Sequence, residues 1–447
     1  MASNTKKMTT GNPWKLIVGF AFPILLSQLF QQLYNTADSL IVGNFLGTEA
    51  LAAVSSSGTL IFLLVGFFSG TAMGAGVVIS RYFGAGEYDK VSRAIHTNLA
   101  LGIVCGVLLT IVGVAFTPTF LRWMDTDPSV LPDAISYFRY YFMGVFAVVL
   151  YNICTGIMNA LGDSRRPLYY LIFSSLLNIG LDLLFVGVFH WGVWSAAFAT
   201  TISQAASALL CLIHLSQKGT VYQVQLRKLR FHKDMLLEII RYGLPSGIQN
   251  SVIALANVIV QTNINSFGKE AMAAYGSYAK IEGFGFLPIT SFNMALTTYT
   301  SQNLGAKQYD RAKKGSRFGI LASVVLAESI GVLIFLFAPQ LIGLFSQDPH
   351  VIANGVMQAR VIAPFYFLLA YSHAIAAVCR GAGKAFVPMF IMLSVWCVFR
   401  ILYIFTVMHF IHEIQYIYWA YPLTWAISSV IYLLYYHFSD WIHGFDR

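Results

Sequence analysis

Two polar side chains interrupt an otherwise apolar run: within "SLLNIGLDLLFV" (Ser175–Val186) stand Asn178 and Asp182. Four residues apart on a helix, they share one face. An acid at the centre of a bilayer costs about 2.5–3.5 kcal/mol even on insertion scales, so it marks an ion path or a paired structural site. Asp38 and Thr200 stand in two further apolar runs. Counted at about 1.5 Å per helical residue, Asp182 lies about 22 Å from Pro167, Thr200 about 12 Å from Gly192, and Asp38 about 8–13 Å from the outer end of its run. These depths coincide, so Asp38, Asn178, Asp182 and Thr200 are expected to form one cluster. A carboxyl kept from water beside a second acid holds its proton more firmly, so the cluster suits H+. Its oxygen ligands suit a hard cation such as Na+ equally well. The plainer alternatives are a hydrogen-bonded pair locking two helices for Asn178 and Asp182, the start of a turn towards Gly43 for Asp38, and a hydroxyl bonded back to its own helix for Thr200.

The second half of the chain carries other charges inside apolar runs: Lys280, Glu282, Glu328 and Arg400. Lys280 and Glu282 are two residues apart and cannot face each other on a helix. Glu282 with Arg400 is a candidate pair, lining a cleft or holding two helices in register. Glu328, in "VVLAESIGV", reads as cleft-lining or as an isolated charge on the lipid side. Arg139 and Arg360 are expected to snorkel to the surface. Gln31, Tyr34 and Gln249 are candidates to orient a substrate in an apolar pocket, with Met73 and the phenylalanines able to adapt to its shape. Pro23 reads as a bend.

The elements that must hold these residues follow from composition. Of 447 residues, 57% are apolar and only 11% charged, whereas soluble domains run near a quarter charged. Apolar runs of about twenty residues recur throughout, the pattern of a helical membrane protein. Breaks at Gly, Pro and charge clusters predict twelve spans, beginning near Lys15, Glu49, Lys90, Pro132, Pro167, Gly192, Met235, Glu270, Arg311, His350, Ala385 and Gln415. No cleaved signal peptide is expected at the amino terminus. The five cysteines are scattered through apolar runs and read as packing residues. The net charge of +9 resides in the connections, where it is a topology signal; nucleic-acid binding is not expected. Of 28 lysines and arginines, 21 fall in the tails and the even-to-odd connections, against Arg122 and Lys269 on the opposite side. Both termini are therefore expected in the cytoplasm, with the protein multi-pass in the plasma membrane.

The chain also repeats. "GAGEYDK" (Gly84–Lys90) recurs as "GAKQYDR" (Gly305–Arg311), "TEALAAV" (Thr48–Val54) as "KEAMAAY" (Lys269–Tyr275), and "FTPTFLRWMDTDP" (Phe116–Pro128) as "FAPQLIGLFSQDP" (Phe337–Pro349). Arg139 recurs as Arg360 and "GDSRRP" (Gly162–Pro167) as "GKAFVP" (Gly383–Pro388), every pair 221 residues apart. Six spans per copy make the copies parallel, packed about an axis along the membrane normal with a cleft between them. The expected domains are an amino-terminal lobe, 1–217, a cytoplasmic linker, 218–234, and a carboxyl-terminal lobe, 235–447. At Asn178, Asp182 and Thr200 the second copy has Phe399, Tyr403 and Tyr421, so ion coupling is expected in the first lobe.

Together, the repeat, Pro23 before Asp38, "NIGLD", "AAFATTIS" and "QNLGAKQYDRAKKG" resemble the multidrug and toxic compound extrusion (MATE) transporters from about Trp14 to about Tyr436. The resemblance implies a V-shaped, two-lobed antiporter exchanging H+ or Na+ for an amphipathic, cationic or aromatic compound. By position, Asp38, Asn178, Asp182 and Thr200 match the amino-terminal polar cluster of the DNA-damage-inducible-type branch. The norfloxacin-resistance branch has an acid in the seventh span; here Pro245–Phe267 has none, and Glu282 follows in the next span. The expected function is cation-coupled export of drugs, H+ favoured over Na+, by a monomer in the lipid bilayer without a cofactor. The alternative is a flippase for a lipid-linked or polysaccharide precursor of the same superfamily. Enzymatic chemistry is not expected, since no paired metal ligands, nucleophile motif or phosphate-cradling loop occurs.

Overall fold

The computed structural model describes residues 7–445 apart from 48–49, 51–53, 55–57, 124–127 and 129, and without the side chains of 58–69 and 71. The motif at 48–54, the expected span start at Glu49, most of 124–128, Lys6 and Arg447 therefore fall largely outside it. Among the described residues every regular element is helical.

The first half holds α1 (Pro13–Leu46), α2 (Gly58–Ala85), α3 (Tyr88–Trp123), α4 (Leu131–Ala160), α5 (Arg165–Asp182) and α6 (Trp194–Leu215). The second holds α7 (Lys233–Asn265), α8 (Lys269–Gly305), α9 (Tyr309–Leu336), the short α10 (Ala338–Gly343), α11 (Pro349–Ile362), α12 (Tyr366–Gly381), α13 (Phe386–Met392), α14 (Arg400–Phe410) and α15 (Ile414–Phe438). With α11 and α12 as one span and α13 and α14 as another, each half has six. Among the described residues, ten stretches are long and apolar enough to cross a membrane. Two features were not expected. The tenth span is broken by a 3-10 turn at Ala363–Phe365, and the fifth and eleventh contain π-helical segments, Leu183–Val188 and Leu393–Phe399.

The ends of the helices have local causes. Asn12 precedes α1 and its Oδ1 accepts from the Trp14 N–H at 3.3 Å, with Pro13 as the first helical residue. Asp348 caps α11 by accepting from the His350 N–H at 2.8 Å.

The chain divides into two compact units, one of Leu26–Leu244 and one of Met8–Leu25 with the chain from Pro245 on. Thus α1 changes unit just after Pro23, and α7 at Pro245. In the first unit α4 is central, packed on α6, α3 and α2. Gly144 allows the α4–α6 contact: a Cβ there would lie 1.9 Å from Thr201 Oγ1. The linker docks on the same unit. Tyr222 and Val224 are buried, the Gln225 N–H donates to His96 Nε2 at 3.0 Å, and the His232 N–H donates to Thr97 Oγ1 at 3.2 Å. The first turns of α7 follow, with Arg93 paired to Asp234 at 2.7 Å and Tyr82 donating to Glu238 at 2.8 Å.

In the second unit α8 packs on α9, α11 and α12, and α12 also on α15. Residues 8–25 lie against Phe292, Ala295 and Tyr299 of α8. Gln302 and Asn303, which open the "QNLGAKQYDR" motif, hold the chain at Met8. The Met8 N–H donates to Gln302 at 2.9 Å, and Asn303 and Arg311 each donate to the Met8 carbonyl at 3.2 Å.

Candidate functional site

Four helices of the first unit each contribute two residues one turn apart: Tyr34 and Asp38 on α1, Tyr137 and Tyr141 on α4, Asn178 and Asp182 on α5, Thr200 and Gln204 on α6. An i,i+4 pair points both side chains the same way, and here all four pairs point inward. Asp182 is fully buried and Asp38 is 9% exposed. The two carboxyls are close enough to share a hydrogen bond when one is protonated. With both ionised, neither Asp182 oxygen nor Asp38 Oδ1 has a donor. Among the described residues neither acid has a cation within ion-pair distance. Two like charges so close and so dry are far costlier than one proton or one cation held between them.

The surrounding groups complete the setting. Asn178 donates to Thr200 Oγ1 at a long 3.4 Å, and its own Oδ1 is buried without a partner. Thr200 sends its proton back to the Ala196 carbonyl at 3.1 Å, so only its lone pairs face the cluster. Tyr34 lies beside Gln204 and within electrostatic range of both acids. Tyr137 is in range of both acids too and stacks on Tyr141 with ring centroids 6.4 Å apart. Asp38 starts no turn, since α1 runs on to Leu46. At the residue after Asp182 the helix widens into its π segment, a departure that recurs at functional positions.

Sequence reasoning missed Gln204, Tyr137 and Tyr141. Gln204 was findable, as a second polar residue four after Thr200. Tyr137 and Tyr141 carried no signal beyond their spacing, because aromatic residues fill many positions of a membrane helix.

The remaining candidates are distributed otherwise. Gln31 is exposed. Gln249 is buried in the second unit, its amide directed at Met392 Sδ at 2.7 Å. Glu282 and Arg400 make no contact ion pair: no N–O distance between them falls within 4.0 Å. Arg400, 1% exposed, donates instead to Thr424 at 2.8 Å and Asn257 at 3.3 Å. Its guanidinium lies over Tyr421 at 4.6 Å and Trp396 at 5.3 Å. Glu282 acts on it electrostatically from beyond contact. The expected pair fails because helical spacing gives the face of a residue and not the distance across to another helix. Lys280 reaches over Phe345 at 5.3 Å, and Arg139 and Arg360 are both exposed.

A family model described as MatE matches residues 23–184 and again 245–406. The "Probable multidrug resistance protein YoeA" of Bacillus subtilis (strain 168) is 29% identical over 445 residues, covering 97% of this chain and 96% of that protein. The "Multidrug export protein MepA" of Staphylococcus aureus (strain NCTC 8325 / PS 47) is 23% identical over 355 residues, covering 78% and 77%. A solved structure described as the "Outward-facing conformation of a multidrug resistance MATE family transporter of the MOP superfamily" has the same fold, with a TM-score of 0.90 at 23% identity and 97% coverage of each chain. With the match covering most of each half, over helices that cross a membrane many times, this chain belongs to the MatE family of membrane transporters.

Proposed function

We propose that the protein exports small amphipathic, cationic or aromatic compounds in exchange for an incoming cation, and that the cation is a proton carried by Asp38 and Asp182. The carrying observation is the pair itself: two buried carboxyls, close enough to share one proton, with three of their four oxygens lacking a donor among the described residues. One proton gives a partner to both acids at once, whereas Na+ would need further oxygens drawn in from Asn178 and Thr200. Relatives named for multidrug resistance and export support the choice of cargo. The match of Asp38, Asn178 and Asp182 to the DNA-damage-inducible-type cluster supports placing the chain in that branch. Each proton returning down a membrane potential supplies about 2.3 kcal/mol per 100 mV, in addition to the pH gradient.

The test is ethidium efflux from reconstituted vesicles under an imposed proton or sodium gradient. Asp38→Asn and Asp182→Asn are each expected to slow proton-driven efflux about tenfold or more, the equivalent of about 1.4 kcal/mol in the coupled step. Wild-type rates in both variants would remove the site; wild-type protein driven by sodium alone would replace the ion.

A further inference from the structure

Glu328 sits on the stripe of α9 that carries Leu321, Val325 and Val332, which are 62, 57 and 46% exposed on the apolar outer surface of the second unit. A carboxylate there needs a donor. Its Oε2 accepts from the backbone N–H of Phe367 at 2.9 Å. That N–H belongs to the broken tenth span, where α11 stops at Ile362, Ala363–Phe365 forms a 3-10 turn and α12 starts at Tyr366. Pro364 lacks an N–H and its ring displaces the carbonyl four residues back, so the first N–H groups of α12 have no partner within their own helix. Glu328 supplies one from the helix alongside, with its charge at the favourable end of the α12 dipole. Gly331 permits the approach: a Cβ there would lie 2.4 Å from the Ala363 carbonyl oxygen.

The internal repeat provides the comparison. At the 221-residue offset, Val107 stands opposite Glu328, Thr110 opposite Gly331 and Met143 opposite Pro364. In that copy α4 is one unbroken helix from Leu131 to Ala160. Acid, glycine and proline thus occur together in the copy with the break, and all three are absent from the other.

We infer that Glu328 is a positioning residue of the transport cycle, a cap reaching from one helix to another that fixes the break in the tenth span and through it Tyr366. Tyr366 is the first residue of α12, next to the capped N–H, and is fully buried. Its hydroxyl lies 3.0 Å from that of Tyr278 and its ring meets Trp425 edge-on at 6.1 Å. Tyr278 is one turn before Glu282 on α8, and both tyrosines lie within electrostatic range of that acid. The cap thereby links the outer surface of the unit to the charged group in its interior.

The role rests on the transport reading above, and an exchange measurement separates failure of the cap from failure of that reading. The full chain is compared as wild type, Glu328→Val, Glu328→Gln, Pro364→Met and Glu328→Val with Pro364→Met. Hydrogen exchange in detergent, read on the peptide spanning 362–370, should rise about tenfold at the Phe367 amide in Glu328→Val and stay within about twofold of wild type in Glu328→Gln, which keeps the acceptor. Ethidium efflux from vesicles should fall in Glu328→Val, with a raised apparent KM, and recover in Glu328→Gln. In the Pro364→Met background, with the break removed, Glu328→Val should change neither readout further. Wild-type exchange in Glu328→Val, or effects of the two substitutions that multiply independently, would overturn the assignment.

Discussion

Asn178 and Thr200 distinguish the two ions that the carboxyl pair suits. If Na+ were the coupling ion, the Asn178 carbonyl oxygen and the Thr200 hydroxyl would have to complete its coordination. If it is a proton, both oxygens of the exchange lie on Asp38 and Asp182, and the neighbours only keep the pair dry. Both oxygens are free to take part, with the Thr200 proton directed at Ala196 and Asn178 Oδ1 unpartnered, so their removal decides between the ions: under the proposed proton coupling, one proton gives both acids a partner without them. Thr200→Val and Asn178→Ala are therefore expected to keep proton-driven ethidium efflux within about threefold of wild type. A neutral hydrogen bond contributes about 0.5–1.5 kcal/mol net, while a charge-carrying acid cannot be replaced. Loss of coupling in either variant to the degree expected of Asp38→Asn would move the argument to a sodium site. Tyr34, by contrast, lies beside Gln204 and in electrostatic range of both acids, which places it with the carboxyl pair.

At the scale of elements, the linker is held by two imidazoles that work only when neutral. His96 accepts the Gln225 N–H on Nε2, so its Nδ1 carries the proton given to the Ser92 carbonyl at 2.7 Å. His232 accepts from Arg230 on Nε2 at 3.1 Å and turns Nδ1 to Thr97 at 3.1 Å. A second proton on either ring sets donor against donor. Desolvation, then Arg230, Arg93 and His96, hold His232 below the ordinary histidine range, against the opposing pull of Asp234. A base lowered by folding stabilises the docked form fully above its free value of about 6.5, and that contribution is lost as the pH falls from there through the lower folded value. Hydrogen exchange over 218–233 in the full chain, corrected for intrinsic rate, should accordingly be faster at about pH 5.5 than at about pH 7.5; equal protection at both would dismiss the mechanism. None of this docking was legible in "KGTVYQVQLRKLRFHK", because its partners lie 129 and 135 residues away. What was legible had a local period: the spans, from their apolar length, and the Asn178–Asp182 face, from its spacing. The π segments, the break at Pro364 and the separation of Glu282 from Arg400 are set by neighbouring helices, so periodicity along one helix does not contain them.

At the scale of the whole molecule, the two copies of one six-helix pattern have been given opposite electrostatic contents. The first unit buries a pair of acids among Asn178, Thr200 and Gln204; the second buries Arg400 among tyrosines and tryptophan, with Glu282 beyond contact. Under the proposed proton coupling, which side of the membrane supplies the proton depends on orientation, and orientation depends on the basic residues. Twenty-one of 28 lysines and arginines lie in the tails and one set of connections. A basic residue near an anionic cytoplasmic leaflet gains about 1 kcal/mol, and basic loops are retained on that side. We expect the linker and both termini inside, with the α7–α8 turn and the end of α3 outside. The molecule suits a labelling test, because Cys154, Cys211, Cys379 and Cys397 are buried and Cys105 is partly so, which keeps native reactivity low. Lys218, Lys269 and Arg122 are all exposed. In intact cells Lys269→Cys and Arg122→Cys should react with a membrane-impermeant maleimide, while Lys218→Cys should react only after the membrane is opened. Labelling of Lys218→Cys from outside would invert the molecule, and the gradient that drives export would then have to enter at the opposite ends of the same helices.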